Sequence, residues 1–264
     1  MAFLRINIKS EEIAQSVDID VFLPVRSKLV SCRPPFKTLY FLPGYSASSR
    51  ESITFMNMQM HALTHGIALV MISGDRSFYT DQEPIHEMYG RFVGKELVEL
   101  TRELLPLSHR REDTYIGGIS MGGYGAICNG LRFRDTFSKI AVLSPAIWYP
   151  GLGEKDMIPE IRDKVERLMG SFEELTAGRY AAISYLDRTL AEGGELPDFF
   201  IRYGNEDVLV REGNEAFLRD LAERNIEIDY QAEPGAHDLV FWSEMMKSTF
   251  DFLTEDIYGM REEC

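Results

Sequence analysis

Apolar and polar residues alternate in two early segments, Phe3-Leu4-Arg5-Ile6-Asn7-Ile8 and Val17-Asp18-Ile19-Asp20-Val21-Phe22-Leu23. A period of two predicts half-buried antiparallel strands, the second closed by Pro24. Past Pro34-Pro35 the pattern changes to short continuous apolar runs, which suit strands covered on both faces. Phe36 to Leu42 is the first such run and ends in the turn signal Pro43-Gly44. Ile67 to Ile72 is the second and ends at Ser73-Gly74, with a helix expected before it over Phe55 to His65. Tyr89 to Leu105 reads as a helix, because Phe92, Val93, Leu97, Leu100 and Leu104 fall on one stripe. Thr114 to Ile119, Met121 to Phe133 and Ile140 to Leu143 then read as strand, helix and strand. The same order returns in Phe199 to Tyr203, Asn214 to Arg224 and Ile226 to Tyr230, and Val240 to Leu253 is a closing helix.

Strands that alternate with helices imply a mostly parallel central sheet with helices on both faces. The two alternating segments would add an antiparallel N-terminal edge. Residues 151–194 break the rhythm: they are charged, helix-like and without a strong strand. They are expected to form a helical excursion over the active-site rim of one α/β domain spanning 1–264, not a second domain.

Length and charge narrow the function. A chain of 264 residues buries roughly three quarters of the surface its unfolded form exposes, so it can hold a core without staples. The net charge is −14, and the densest basic spot, Arg110-Arg111, is followed by Glu112-Asp113. Nucleic acid is thereby excluded as an expected partner, since phosphate binding needs clustered Lys and Arg. The cysteines number three, at positions 32, 128 and 264, too few and too widely spaced for a disulfide framework or a zinc site. They fit a reducing cytoplasm. No stretch approaches the ~20 apolar residues of a membrane span, so no membrane partner is expected.

The candidate chemistry centres on Gly118-Ile119-Ser120-Met121-Gly122. By composition alone a Gly-x-Ser-x-Gly would arise in roughly one such chain in ten. Its context is more specific, because a predicted strand precedes it and a predicted helix follows. That strand-to-helix turn is what lifts a serine hydroxyl above a sheet edge. Side chains two residues to either side would collide across the turn, and glycine removes them. Serine needs a base to take its proton. Of the five histidines only His237 follows Ser120, in a loop between the last strand and the last helix. The orienting acid should follow the preceding strand, at Asp207, with Glu206 as competitor. Met121 would supply one oxyanion amide. The second falls after Pro43, which has no N–H, on Tyr45 or in reserve Ser46. Tyr79, Trp148 and Trp242, together with Tyr45 and Tyr149, are candidates for a substrate-binding wall.

These segments resemble the esterase D-type family of α/β-hydrolases, which includes tributyrin, acetyl and feruloyl esterases and S-formylglutathione hydrolases. The resemblance is carried by Tyr40-Phe41-Leu42-Pro43-Gly44-Tyr45, Ser77-Phe78-Tyr79-Thr80-Asp81, Gly117 to Gly125, Tyr203-Gly204-Asn205-Glu206-Asp207 and Gly235 to Trp242. It implies an α/β-hydrolase fold, a triad at Ser120, Asp207 and His237, and oxyanion donors at Tyr45 and Met121. Two positions depart from the family. Pro43-Gly44 stands where His-Gly is common, and Ser46-Ala47 stands where S-formylglutathione hydrolases carry Thr-Cys. The expected activity is hydrolysis of short-chain acyl esters, such as acetyl groups on carbohydrates, with no metal or organic cofactor. A small-molecule ester is the expected partner, and homo-oligomerisation is left open. An acyltransferase or feruloyl esterase with the same triad is the alternative, ahead of a small peptidase or an inactive binding homologue.

Overall fold

Alternate side chains of each strand feed two separate cores, and that division sets the architecture. Tyr40 and Leu42 join one cluster while Leu39 and Phe41 join the other. The same split runs through Val70 against Met71, Val142 against Leu143 and Ile201 against Phe200. A sheet buried on both faces produces this pattern and explains why its strands read as continuous apolar runs. A computed structural model describes residues 1–26, 29–152 and 157–258. The third cysteine, Cys264, and positions 153–156 of the expected excursion lie outside the described residues.

The elements run β1 (Ala2–Lys9), β2 (Ser16–Leu23), β3 (Thr38–Leu42), α1 (Ser49–Phe55), α2 (Met58–His65) and β4 (Ala68–Ile72). A small hairpin of β5 (Asp81–Gln82) and β6 (Glu87–Met88) leads into a helical run of α3 (Tyr89–Arg91), a π-helical turn and α4 (Leu97–Leu104). Then come β7 (Thr114–Ile119), α5 (Met121–Arg132) and β8 (Lys139–Leu143). The next stretch holds α6 (Pro159–Met169), α7 (Phe172–Thr176) and α8 (Ala182–Glu192). The chain closes with β9 (Asp198–Gly204), α9 (Arg211–Glu223), β10 (Asp229–Glu233) and α10 (Leu239–Tyr258).

The large sheet has the order β1-β2-β4-β3-β7-β8-β9-β10. β1 and β2 pair antiparallel, β2 meets β4 antiparallel, and every pairing from β4 to β10 is parallel. This is the α/β-hydrolase architecture, with the antiparallel edge that the early alternation predicts. Parallel pairing points the carboxyl ends of β3, β7, β9 and β10 to one rim, where ligand sites of open α/β sheets form. Within the antiparallel edge Asp20 is buried, and its carboxylate accepts from both Arg5 nitrogens at 2.7 and 2.6 Å and from Ser49 Oγ at 2.7 Å. Burial opposes the charge on Asp20, but these bonds more than offset it and hold its pKa below the usual value. One carboxylate thus ties β1, β2 and the start of α1 together. Among the described residues no helix is long and apolar enough to cross a membrane.

Two local expectations need correction, and one element was not expected. The helix expected over Phe55 to His65 is two helices, broken at Asn57, whose φ of 50° is left-handed. The earlier helix, α1, starts at a capping box in which Ser48 Oγ accepts from the Glu51 amide and the Glu51 carboxylate accepts from the Ser48 amide. The final strand begins at Asp229, not Ile226, because Asn225 and its neighbours still close α9, where the amide of Ile226 donates to Leu221 O. The β5–β6 hairpin has two-residue strands, too short for any periodic signal.

Candidate active site

Ser120 sits between β7 and α5 with φ 52° and ψ −118°, a backbone conformation that a side-chain-bearing residue adopts only at a cost of about 1–3 kcal/mol. Its surroundings hold it there. The Ser120 amide donates to Leu143 O at 3.0 Å, and its carbonyl accepts from Ala146 at 2.9 Å and Tyr124 at 3.0 Å. The flanking glycines are required by contact. A Cβ at Gly118 would stand 2.5 Å from the Gly122 backbone, and one at Gly122 would stand 1.8 Å from Leu42 O. The first clash is the one expected across the turn. The second shows that the helix start is pressed against the end of β3, so the elbow and the Pro43-Gly44 loop are built as one unit.

His237 reaches the same point from the loop between β10 and α10, at the same rim of the sheet. Its Nε2 lies 2.9 Å from Ser120 Oγ and its Nδ1 lies 2.7 Å from Asp207 Oδ2. The Asp207 side chain is fully buried, and its other oxygen accepts from the amides of Leu209 and Val210 at 3.2 Å each. Those two amides fix the carboxylate plane against the imidazole. Glu206 is exposed, and its amide donates to Gly235 O at 2.9 Å. That bond joins the acid loop to the histidine loop, and close approach of the two demands glycine, since a Cβ at Gly204 would meet Gly235 O at 2.2 Å. Asp238 points away from the site: it accepts from the Phe241 amide at 3.0 Å at the start of α10. The Trp242 ring meets His237 edge-on, centroids 5.0 Å apart at 86°, and so limits how far the imidazole can swing.

α5 begins at Met121, so its amide is one of the first-turn donors with no acceptor inside the helix. The Gly44 Cα lies close enough to Ser120 that a Cβ there would touch Ser120 Cβ at 3.5 Å, and the following residue, Tyr45, lines the same cavity as the nucleophile. Tyr79 supports this loop from below: its hydroxyl donates to Pro43 O at 3.0 Å. Among the described residues neither thiol competes with the serine. Burial pushes the Cys128 thiol far above its usual range and raises that of Cys32, so neither is a thiolate at neutral pH.

A cavity of about 380 Å³ opens above Ser120 and His237. Tyr45, Ile119, Ile158, Ile161, Leu209, Leu239 and Trp242 give it apolar walls. Of the aromatic wall expected from the sequence, Trp242 and Tyr45 are present. Tyr79 and Trp148 are not: both are buried, Tyr79 under the Pro43 loop and Trp148 against Phe78. Tyr149 instead donates to Asp220 at 2.5 Å. The aliphatic lining from Ile158, Ile161, Leu209 and Leu239 was not legible, because isolated apolar residues after a loop carry no motif.

The class of molecule follows from this rim. A parallel sheet with a strained serine at the end of β7, followed in chain order by an acid and a histidine, is a serine hydrolase of the α/β-hydrolase type. The particular family is shown by comparison: residues 10–250 match the esterase family described as "Putative esterase", and the chain belongs to it. It is 30% identical to an acetyl esterase of Caldicellulosiruptor saccharolyticus, over 97% of this chain and 99% of that one. Among solved structures it is similar to the Staphylococcus aureus fluorophosphonate-binding serine hydrolase FphF (26% identity, TM-score 0.83, 96% of this chain and 98% of that one). It is also similar to the S. aureus S-formylglutathione hydrolase FrmB (26% identity, TM-score 0.82, with the same coverage). A ferulic acid esterase shares the fold at TM-score 0.74 and 19% identity, covering 96% of this chain and 98% of that one. The protein is a carboxylic ester hydrolase.

Proposed function

We propose that this esterase cleaves short-chain acyl esters by acyl transfer through Ser120, with His237 as base and acid and Asp207 as its orienting carboxylate. The observation that carries the reading is the unbroken hydrogen-bonded series from Ser120 Oγ through His237 to Asp207, at 2.9 and 2.7 Å. His237 Nε2 takes the hydroxyl proton as Oγ attacks the ester carbonyl. Asp207 holds Nδ1–H and stabilises the imidazolium that forms. Charge on the tetrahedral oxygen falls on the Met121 and Tyr45 amides, and each such donor is worth about 3–4 kcal/mol in the transition state. The imidazolium then gives its proton to the leaving alcohol, and water repeats the sequence on the acyl-enzyme.

The preference for a short acyl group is supported by the cavity of about 380 Å³, bordered by side chains from α1, α6 and α10, and by the similarity to an acetyl esterase. A 4-nitrophenyl ester series from acetate to decanoate tests it. kcat/KM should be highest between acetate and butyrate and fall by about tenfold or more by decanoate, the reverse of the gain of about 0.8 kcal/mol per buried CH2 expected of an open apolar groove. A steady rise to decanoate contradicts the short-chain reading.

A further inference from the structure

Among the described residues, the charged groups on the cavity wall are of one sign. Among the described residues that line it, the only fixed charges are Glu51 and Glu160, and no Lys or Arg is present. They stand on different elements, Glu51 in the first turn of α1 and Glu160 in the first turn of α6. The Glu51 carboxylate is held in place by the Ser48 amide at 3.0 Å, so it keeps a fixed position beside the Ser46–Ala47 part of the wall. The Arg76 guanidinium lies 5.3 Å from the centroid of the Tyr45 ring but is not among the lining residues. Apart from the neutral Ser46 and Ser52 and the reacting Ser120 and His237, the remaining side chains on the wall are uncharged and mostly apolar, so none of them brings a fixed positive charge to a substrate anion.

Resting on the esterase reading above, we propose that Glu51 and Glu160 make the site charge-selective: it accepts neutral and cationic esters and rejects anionic ones. In water, one carboxylate about 4 Å from a substrate charge changes affinity by about fivefold, and by more where apolar walls exclude solvent. Both carboxylates act in the same direction, and so does the overall charge of −14 during approach. The overall field is screened at physiological ionic strength, where the Debye length is about 8 Å; Glu51 and Glu160 are themselves exposed, so they act on a substrate charge that binds within that distance of them. Glu160 is the residue to alter, since Glu51 also caps α1.

The experiment compares acetylcholine, its neutral isostere 3,3-dimethylbutyl acetate and the anionic 3-acetoxypropanoate by pH-stat at physiological salt. The expected kcat/KM for the anionic ester is about tenfold or more below that of the neutral one, with the cationic ester equal to the neutral one or above it. Glu160→Gln should narrow the gap between anionic and cationic esters, and Glu160→Lys should narrow it by about fivefold or more. Circular dichroism checks that both variants are folded. Turnover of all three esters by the wild type within about twofold of one another overturns the inference. So does a ratio unmoved by Glu160→Lys. Failure of the esterase reading itself looks different: none of the three esters is turned over.

Discussion

Ser120→Ala should fold as the wild type does and lose ester turnover by a factor of about 10⁶, the loss found when a nucleophile is deleted from a serine–histidine–acid site. The fold should survive because the Ser120 backbone bonds, to Leu143, Ala146 and Tyr124, do not involve the hydroxyl. Alanine also carries a Cβ, so the strained φ of 52° is no worse than before. The side chain itself has one polar partner to lose, His237 Nε2 at 2.9 Å. A purified variant with an unchanged melting temperature and no 4-nitrophenyl acetate turnover is the expected result. A variant that retains turnover near the wild-type rate would place the nucleophile elsewhere.

Asp207→Asn should lower kcat by about 10⁴, because an amide facing Nδ1 favours the wrong imidazole tautomer and cannot stabilise the imidazolium. Glu206→Gln next to it should stay within about threefold of wild type, since an exposed side chain away from the site contributes little. The contrast follows from burial and reach. Asp207 lies in the interior with one oxygen on His237 and the other on two backbone amides, whereas only the backbone of Glu206 is engaged. Steady-state kinetics of both variants with one ester decides the matter. A large loss in Glu206→Gln with a small one in Asp207→Asn would reverse the assignment.

The contrast between these two acids also shows where sequence reasoning reaches its limit. The strand pattern leads to the end of β9 and leaves adjacent carboxylates, and only the turn at Gly204 decides which one faces inward. Ser120 and His237 were legible because their chemistry constrains their neighbours: glycines at 118 and 122 where a Cβ would strike backbone, and a histidine loop placed after the last strand. The sheet was legible for the same kind of reason, since a strand buried on both faces must be apolar throughout. The substrate wall was not. Tyr79 and Trp148 are large and lie near the right loops in sequence, yet one braces the Pro43 carbonyl and the other fills the core. Ile158, Ile161 and Leu239 reach the cavity through the way α6 and α10 pack over the rim, a tertiary arrangement with no local signature. The break at Asn57 was hidden likewise, because an asparagine in the left-handed region looks no different in sequence from one inside a helix.

The central claim is that one hydroxyl, activated by one imidazole, carries the covalent step. A fluorophosphonate probe followed by peptide mapping addresses it directly, since the probe phosphonylates only an activated serine. The adduct should fall on Ser120, at a stoichiometry of one per chain, in step with loss of esterase activity, and it should be slowed strongly in His237→Ala. An adduct on another serine, or full activity after Ser120 has been phosphonylated, would contradict the account.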